Sequence, residues 1–243
     1  MLKRLFLLFC VLAGGLIATM PEEKEAPSGK SLAVKATEDF DVTGDGSAAA
    51  WAKAEWTPMR KRTGDGHPYE SRFKALYSRT GIYILFDGTD ERLTSTFRED
   101  YMDLWKEDVF EVFLWTDETH PVYFEYEISP LGHELPILIP NFSGRFLGWR
   151  PWHYEGPRKT RKATAARGGP KESGAAVKGW SAEVFIPYDL LNPLQNVPPG
   201  RGSRWRANFY RVDHDGGRST GWDWAPVGPS FHEFEKFGTL VFE

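Results

Sequence analysis

From Phe73 onward the apolar positions of this chain fall in runs of five to ten residues, separated by Gly, Pro, Asp and Asn. Val, Ile, Phe, Tyr and Trp dominate the runs. This predicts strands over Phe73–Ser78, Ile82–Asp87, Val109–Trp115, Val122–Ser129, Gly179–Ile186, Arg204–Asp213 and Gly238–Phe242. Helical periodicity is nearly absent. One helical turn is predicted over Ser47–Trp56, with Ser47 as its N-cap, and another over Tyr188–Leu194. The two runs around Arg79–Gly81 predict a hairpin in which Gly81 supplies an unusual backbone angle. The fold class that follows is all-β, an antiparallel β-sandwich of jelly-roll type with short helical turns only.

Alternation within the runs places chemistry on one face. In "VFEVFLW", Phe110, Val112 and Leu114 share a face, while Val109, Glu111, Phe113 and Trp115 share the other. In "VYFEYEIS", Phe124, Tyr126 and Ile128 oppose Tyr123, Glu125 and Glu127. The run "RWRANFYRVD" sets Arg204, Arg206, Asn208 and Tyr210 against Trp205, Ala207 and Phe209. If the apolar sets meet in the core, the opposite face gathers carboxylates, a guanidinium, an amide and aromatic rings. Such a face suits sugar hydroxyls and the apolar side of a pyranose. Cross-strand salt bridges on a solvated sheet would give the same alternation.

Composition narrows the choice. Ten Trp, nine Tyr and seventeen Phe in 243 residues leave rings beyond what one core needs. Residues 1–20, with Lys3, Arg4 and an apolar run from Leu5 to Ile17, have the pattern of a secretory signal. Export to a periplasmic or extracellular compartment is expected. Residues 21–32 read as a charged, Pro/Gly-containing linker, and 33–243 as a single domain. Cys10, the sole cysteine, lies within the signal, so the mature chain would hold neither disulfides nor cysteine-ligated metal. Losing Lys3 and Arg4 takes the formal charge from −4 to −6, which argues against nucleic acid as a partner. No membrane span is expected in the mature chain. The basic stretch Gly156–Gly179 is read as a solvated strand with a long hairpin tip.

Six segments in order, "LWKEDVFEVFL", "YFEYEISPLG", "GWSAEVFIP", "WRANFYRVD", "WAP" and "FHEFEKFGTLVF", resemble the family 9 carbohydrate-binding modules within the broader group of DOMON-like β-sandwiches. The resemblance implies a non-catalytic module that holds a saccharide or polysaccharide end between two aromatic rings. Trp105 matches the first clamp tryptophan and Glu111 a sugar-gripping carboxylate. Phe231 stands where the second clamp tryptophan is expected, with His232 beside it. Glu125 replaces an arginine of the family pattern. The expected sugar-binding set is therefore Trp105, Glu111, Glu125, Arg206, Asn208, Phe231 and His232. No cofactor is required, though the resemblance implies structural calcium on loops. Asp87 and Asp90, or Asp213 and Asp215, have the oxygen donors for it, and no ligand set is assigned from sequence.

Two other functions fit parts of the chain. A glycoside hydrolase would use Glu111 with Glu125 or Glu127 as its carboxylate pair. A haem-binding DOMON-type electron-transfer domain would draw axial ligands from Met102, His133, His153, His214 and His232. No C-x-x-C-H, G-x-S-x-G, Walker or dinucleotide-binding pattern is present. Oligomeric state is not readable from the sequence.

Overall fold

A computed structural model describes residues 29–62, 66–142, 145–152 and 155–243. The expected signal, Cys10, most of the expected linker and His153 lie outside the described residues. Among the described residues fifteen strands form. They are β1 (Ser31–Ala36), β2 (Thr57–Pro58), β3 (Arg60–Lys61), β4 (Ser71–Tyr77), β5 (Gly81–Gly88), β6 (Val109–Trp115), β7 (Val122–Ile128) and β8 (Glu134–Phe142). After them come β9 (Arg145–Phe146), β10 (Arg150–Pro151), β11 (Arg161–Arg167), β12 (Gly179–Pro187), β13 (Arg204–Asp213), β14 (Thr220–Asp223) and β15 (Gly238–Phe242).

One sheet runs β10-β8-β7-β6-β13-β15-β1 and the other β1-β4-β5-β12-β11. Strand β1 belongs to both. Its first four residues pair in parallel with Thr239–Phe242, and Lys35 and Ala36 pair in parallel with Leu76 and Tyr77. The alternation explains the sandwich. Phe110, Val112, Leu114, Phe124, Tyr126, Ile128 and Phe209 meet Phe73, Ile82, Ile84, Phe86, Ala182 and Val184 in the main core. Phe73 stacks on Phe209 with ring centroids 3.7 Å apart, and Phe86 on Phe110 at 4.8 Å. Each fully buried ring contributes about 1.5–3 kcal/mol relative to exposure. These stacks therefore fix which faces turn outward.

The predicted strands form with ends shifted by two residues or fewer, and three local expectations change. Ser47 does not cap a helix: a 3-10 helix spans Ala49–Lys53, and the Ser47 N–H instead donates to Asp45 Oδ1 at 3.0 Å. Gly81 needs no left-handed angle. It is required because a Cβ there would lie 2.4 Å from the Phe185 ring and 2.5 Å from the Ile186 carbonyl oxygen. The second helical turn, α1, is shorter than expected and spans Tyr188–Leu191. Strand β1 opens at Ser31, inside the stretch read as linker.

Strand β8 escapes the pattern because Pro136 and Pro140 interrupt it. The fold tolerates them because only the short β9 and β10 pair with its outer edge. Strand β11 is the basic stretch, and its charges are used locally. Lys162 reaches Glu134 Oε1 at 2.8 Å, Arg161 donates to Tyr83 Oη at 2.9 Å, and Arg167 pairs with Asp87.

Candidate functional site: an acidic, ring-walled cavity

The outward face of β6 and β7 forms the floor of a cavity of about 480 Å³. Register puts Glu111 directly opposite Glu127, with Tyr210 on the other side of Glu111. On the next rung Phe113 faces Glu125. The same alternation that buries Phe110 and Val112 thus lifts three carboxyls onto two adjacent rungs. Side walls come from outside the sheet. Trp105 stands on a 3-10 helix (Leu104–Lys106), Phe146 and Trp149 follow β8, and Phe231 and His232 precede β15.

The carboxyls are nearly inaccessible, with Glu111 2 %, Glu125 4 % and Glu127 1 % exposed. Glu111 and Glu127 are direct cross-strand partners, and Glu125 shares a strand face with Glu127. Even so, Glu111 Oε1, Glu125 Oε2 and Glu127 Oε2 have no hydrogen-bond partner among the described residues. Burial, reinforced at Glu111 and Glu127 by the neighbouring acids, raises Glu111 and Glu127 well above the usual carboxylate range. Burial pushes Glu125 up to about 8. His232 gives no counter-charge, since burial lowers it to about 4. Its neutral Nδ1 accepts from the raised Tyr123 hydroxyl at 2.7 Å and lies 3.8 Å from Glu125 Oε2. The imidazole stacks with Phe146 at 4.2 Å and Phe113 at 5.5 Å.

Of the seven residues expected at the site, Trp105, Glu111, Glu125, Phe231 and His232 line this cavity together. Arg206 and Asn208 do not. The Arg206 guanidinium is buried against the carbonyls of Glu235, Phe237 and Gly238 and pairs with Glu118 at 2.9 Å. Asn208 donates to Tyr210 Oη at 2.7 Å and the Ala225 carbonyl at 2.9 Å, and it accepts from the Ala225 N–H at 2.9 Å. Tyr210 in turn donates to the Phe231 carbonyl at 2.8 Å. Both residues secure the segment that carries Phe231 and His232, which alternation alone does not distinguish from lining the cavity.

The ring geometry also departs from a parallel clamp. Phe231 stacks on Tyr210 at 4.1 Å and 8°, and the Arg62 guanidinium lies 4.7 Å from the Phe231 centroid. With Tyr210 on one face, Arg62 takes the other. The Trp105 and Trp149 centroids are 6.2 Å apart at 71°. A sugar between two parallel rings needs roughly 7–8 Å, two carbon contact distances. An indole face meeting an indole at a steep angle is what the cavity offers. Trp149, Phe146 and Glu127 were not in the expected set. Glu127 was visible in the alternation, and the "GWRPW" context, an indole among turn residues, was the only signal for Trp149.

A second acidic group sits at the end of the sandwich. Asp90, Asp108 and Asp213 each place an oxygen within 4.8 Å of the others. Here Arg211 donates to Asp90 at 3.0 Å and Asp213 at 2.8 Å, and Asp108 accepts the N–H groups of Thr94 and His214 at 2.6 and 2.8 Å. Burial raises Asp108 to about 8 and Asp90 to about 7. Asp215 Oδ1 nearby has no partner among the described residues. Hard oxygen donors of this kind suit Ca²⁺. Of the loop acids considered from sequence, Asp87 belongs elsewhere, in ion pairs with Arg72 and Arg167.

A family model described as carbohydrate family 9 binding domain-like matches residues 42–131, which hold Trp105, Glu111, Glu125 and Glu127. Over that stretch, somewhat more than a third of the chain, the sequence is similar to the family 9 carbohydrate-binding domains. The sandwich superposes on a putative carbohydrate-binding protein from Bacteroides uniformis with a TM-score of 0.74 at 20% identity, covering 89% of this chain and 100% of that one. It also superposes on a family 9 carbohydrate-binding module from Caldicellulosiruptor kristjanssonii in complex with cellotriose, with a TM-score of 0.61 at 14% identity, covering 88% and 94%. At these identities the likeness fixes the sandwich. An extracellular protein of Arthroderma benhamiae is 27% identical over 157 residues, 63% of this chain and 68% of that one.

Proposed function

We propose that this protein is an exported, non-catalytic carbohydrate-binding module whose ligand lies on the Trp105 indole and hydrogen-bonds to Glu111, Glu125 and Glu127. The observation that carries this reading is the coincidence, in one cavity of about 480 Å³, of half-buried indoles with three carboxyls that each keep a buried oxygen without a partner among the described residues. Buried polar atoms without partners are rare in native proteins, and a polyhydroxylated ligand supplies both donors and acceptors. The neighbour bound to cellotriose and a second structure from the same organism bound to glucose support the saccharide class.

Binding without cleavage is supported by the electrostatics. A glycosidase divides its work between a protonated and an ionised carboxyl, in environments that push their pKa values apart. Here burial raises all three in the same direction, so their environments do not set one apart as the acid and another as the anion. Export is supported by the N-terminal pattern and by the extracellular relative. No helix among the described residues is long and apolar enough to cross a membrane. Structural Ca²⁺ at Asp90, Asp108 and Asp213 belongs to the same proposal, as a load on the fold rather than on the cavity.

The test is a glycan array probed with the purified protein and with Trp105→Ala, with and without Ca²⁺. Saccharide binding that Trp105→Ala abolishes is expected. Absence of any glycan signal from folded protein, or a signal that Trp105→Ala leaves intact, contradicts the reading.

A further inference from the structure

The geometry points to an amino sugar, a saccharide bearing a free ammonium group, as the ligand class of this cavity. This rests on the reading of the cavity as a saccharide site and goes beyond it by assigning a charge. Glu111, Glu125 and Glu127 occupy adjacent cross-strand positions, and each has a buried oxygen without a partner. Among the described residues no lysine or arginine lines the cavity, and the one histidine that does, His232, is held neutral by burial. A neutral sugar would satisfy hydrogen bonds but would leave the mutual repulsion of three acids uncompensated once any of them ionised. An ammonium group supplies both hydrogen-bond donors and charge.

The walls agree with this. Indole faces attract cations through the ring quadrupole, and Trp105 and Trp149 flank the acids. A bare metal ion fits less well. Among the described residues, three carboxylates within 4.8 Å of one another occur at Asp90, Asp108 and Asp213, not among these glutamates.

Binding would exchange charge in a balanced way. The ammonium keeps its proton, a floor carboxyl releases its own to solvent, and an ion pair forms in the cavity. The other charged or titratable groups around the acids are Tyr123 and Tyr210, both raised by burial, and the neutral His232. At the walls, Lys106 lies 5.7 Å from the Trp105 ring and Arg62 4.7 Å from that of Phe231. Neither wall cation forms an ion pair with the three glutamates: Lys106 pairs with Asp103 and Arg62 with Asp223.

The experiment is titration calorimetry of the full chain at pH 6.5 with a glucosamine disaccharide, its N-acetylated form, cellobiose and tetramethylammonium chloride, each in two buffers of different ionisation heat. The glucosamine disaccharide should bind at least tenfold more tightly than the other three and release protons, and Glu125→Gln and Glu127→Gln should each narrow that preference. Cellobiose or the N-acetylated sugar binding equally well or better overturns the charge assignment while leaving the saccharide site standing. Tetramethylammonium matching the amino sugar overturns the sugar part. No binding of any of the four overturns the amino-sugar assignment, while the glycan array decides the saccharide site itself.

Discussion

Two groups of buried acids sit on the same sandwich, and the protein treats them differently. Around Asp90, Asp108 and Asp213 the chain supplies its own compensation, through the Arg211 guanidinium and the backbone N–H groups of Thr94 and His214. Arg211 is itself fully buried and packs over Trp222 at 4.9 Å. Among the described residues no arginine or lysine pairs with Glu111, Glu125 or Glu127, and each keeps a buried oxygen without a partner. Closed charge networks hold a fold in place. An open one, left beneath rings in a cavity, awaits a partner from outside the chain.

Removing the compensation from the closed group should give the largest effect. Arg211→Met leaves buried aspartates without their cation and should cost about 3–5 kcal/mol, or roughly 10 °C in melting temperature for a domain this size. Calorimetric melting checks it, and a change below 2 °C would place the network's support elsewhere. If Ca²⁺ shares this site, the ion should raise the wild-type melting temperature and the gain should be lost in Asp108→Asn.

In the open group the expected effects are on binding first and folding second. Trp105→Ala should reduce saccharide affinity by tenfold or more while shifting the melting temperature by only a few degrees, because the indole is half-buried. Comparable losses of affinity and stability would make it a core residue. The smallest effect is a pH dependence. Glu125 keeps its proton in the folded state up to about pH 8, whereas the unfolded chain releases it near the ordinary glutamate value. This group therefore lowers stability as pH rises from about 4.5 to 8. Glu125→Gln should flatten that slope, matching wild type at pH 4 and melting a few degrees higher at pH 8. A steeper slope in the variant would contradict the assignment.

Much of this was legible in the chain. Strict alternation in β6, β7 and β13 revealed which face of the sheet carries Glu111, Glu125 and Asn208, because a residue cannot change faces without a one-residue slip of register. The same alternation could not say how far each polar side chain reaches. Arg206 and Asn208 face the right way but are captured by carbonyls of the C-terminal segment, a long-range contact with no local signature. The walls were harder still. Phe146, on the two-residue β9, and Trp149, in the loop beyond it, follow β8, a strand whose two prolines hide it from pattern reading. Trp222, two residues before the tryptophan of "WAP", is buried in the core, its Nε1–H donating to the Tyr69 carbonyl at 3.1 Å.

The opposite sheet offers a natural control. Its outer groove holds Trp56, but Arg72 and Lys74 already lie over that indole at 4.3 and 5.0 Å, and Asp87 is ion-paired. A crystal structure of the protein soaked with its best glycan decides between the two surfaces. The account predicts a sugar ring against Trp105 with a polar atom within hydrogen-bond distance of Glu111, Glu125 or Glu127. A sugar resting on Trp56, with the glutamate cavity empty, would contradict it.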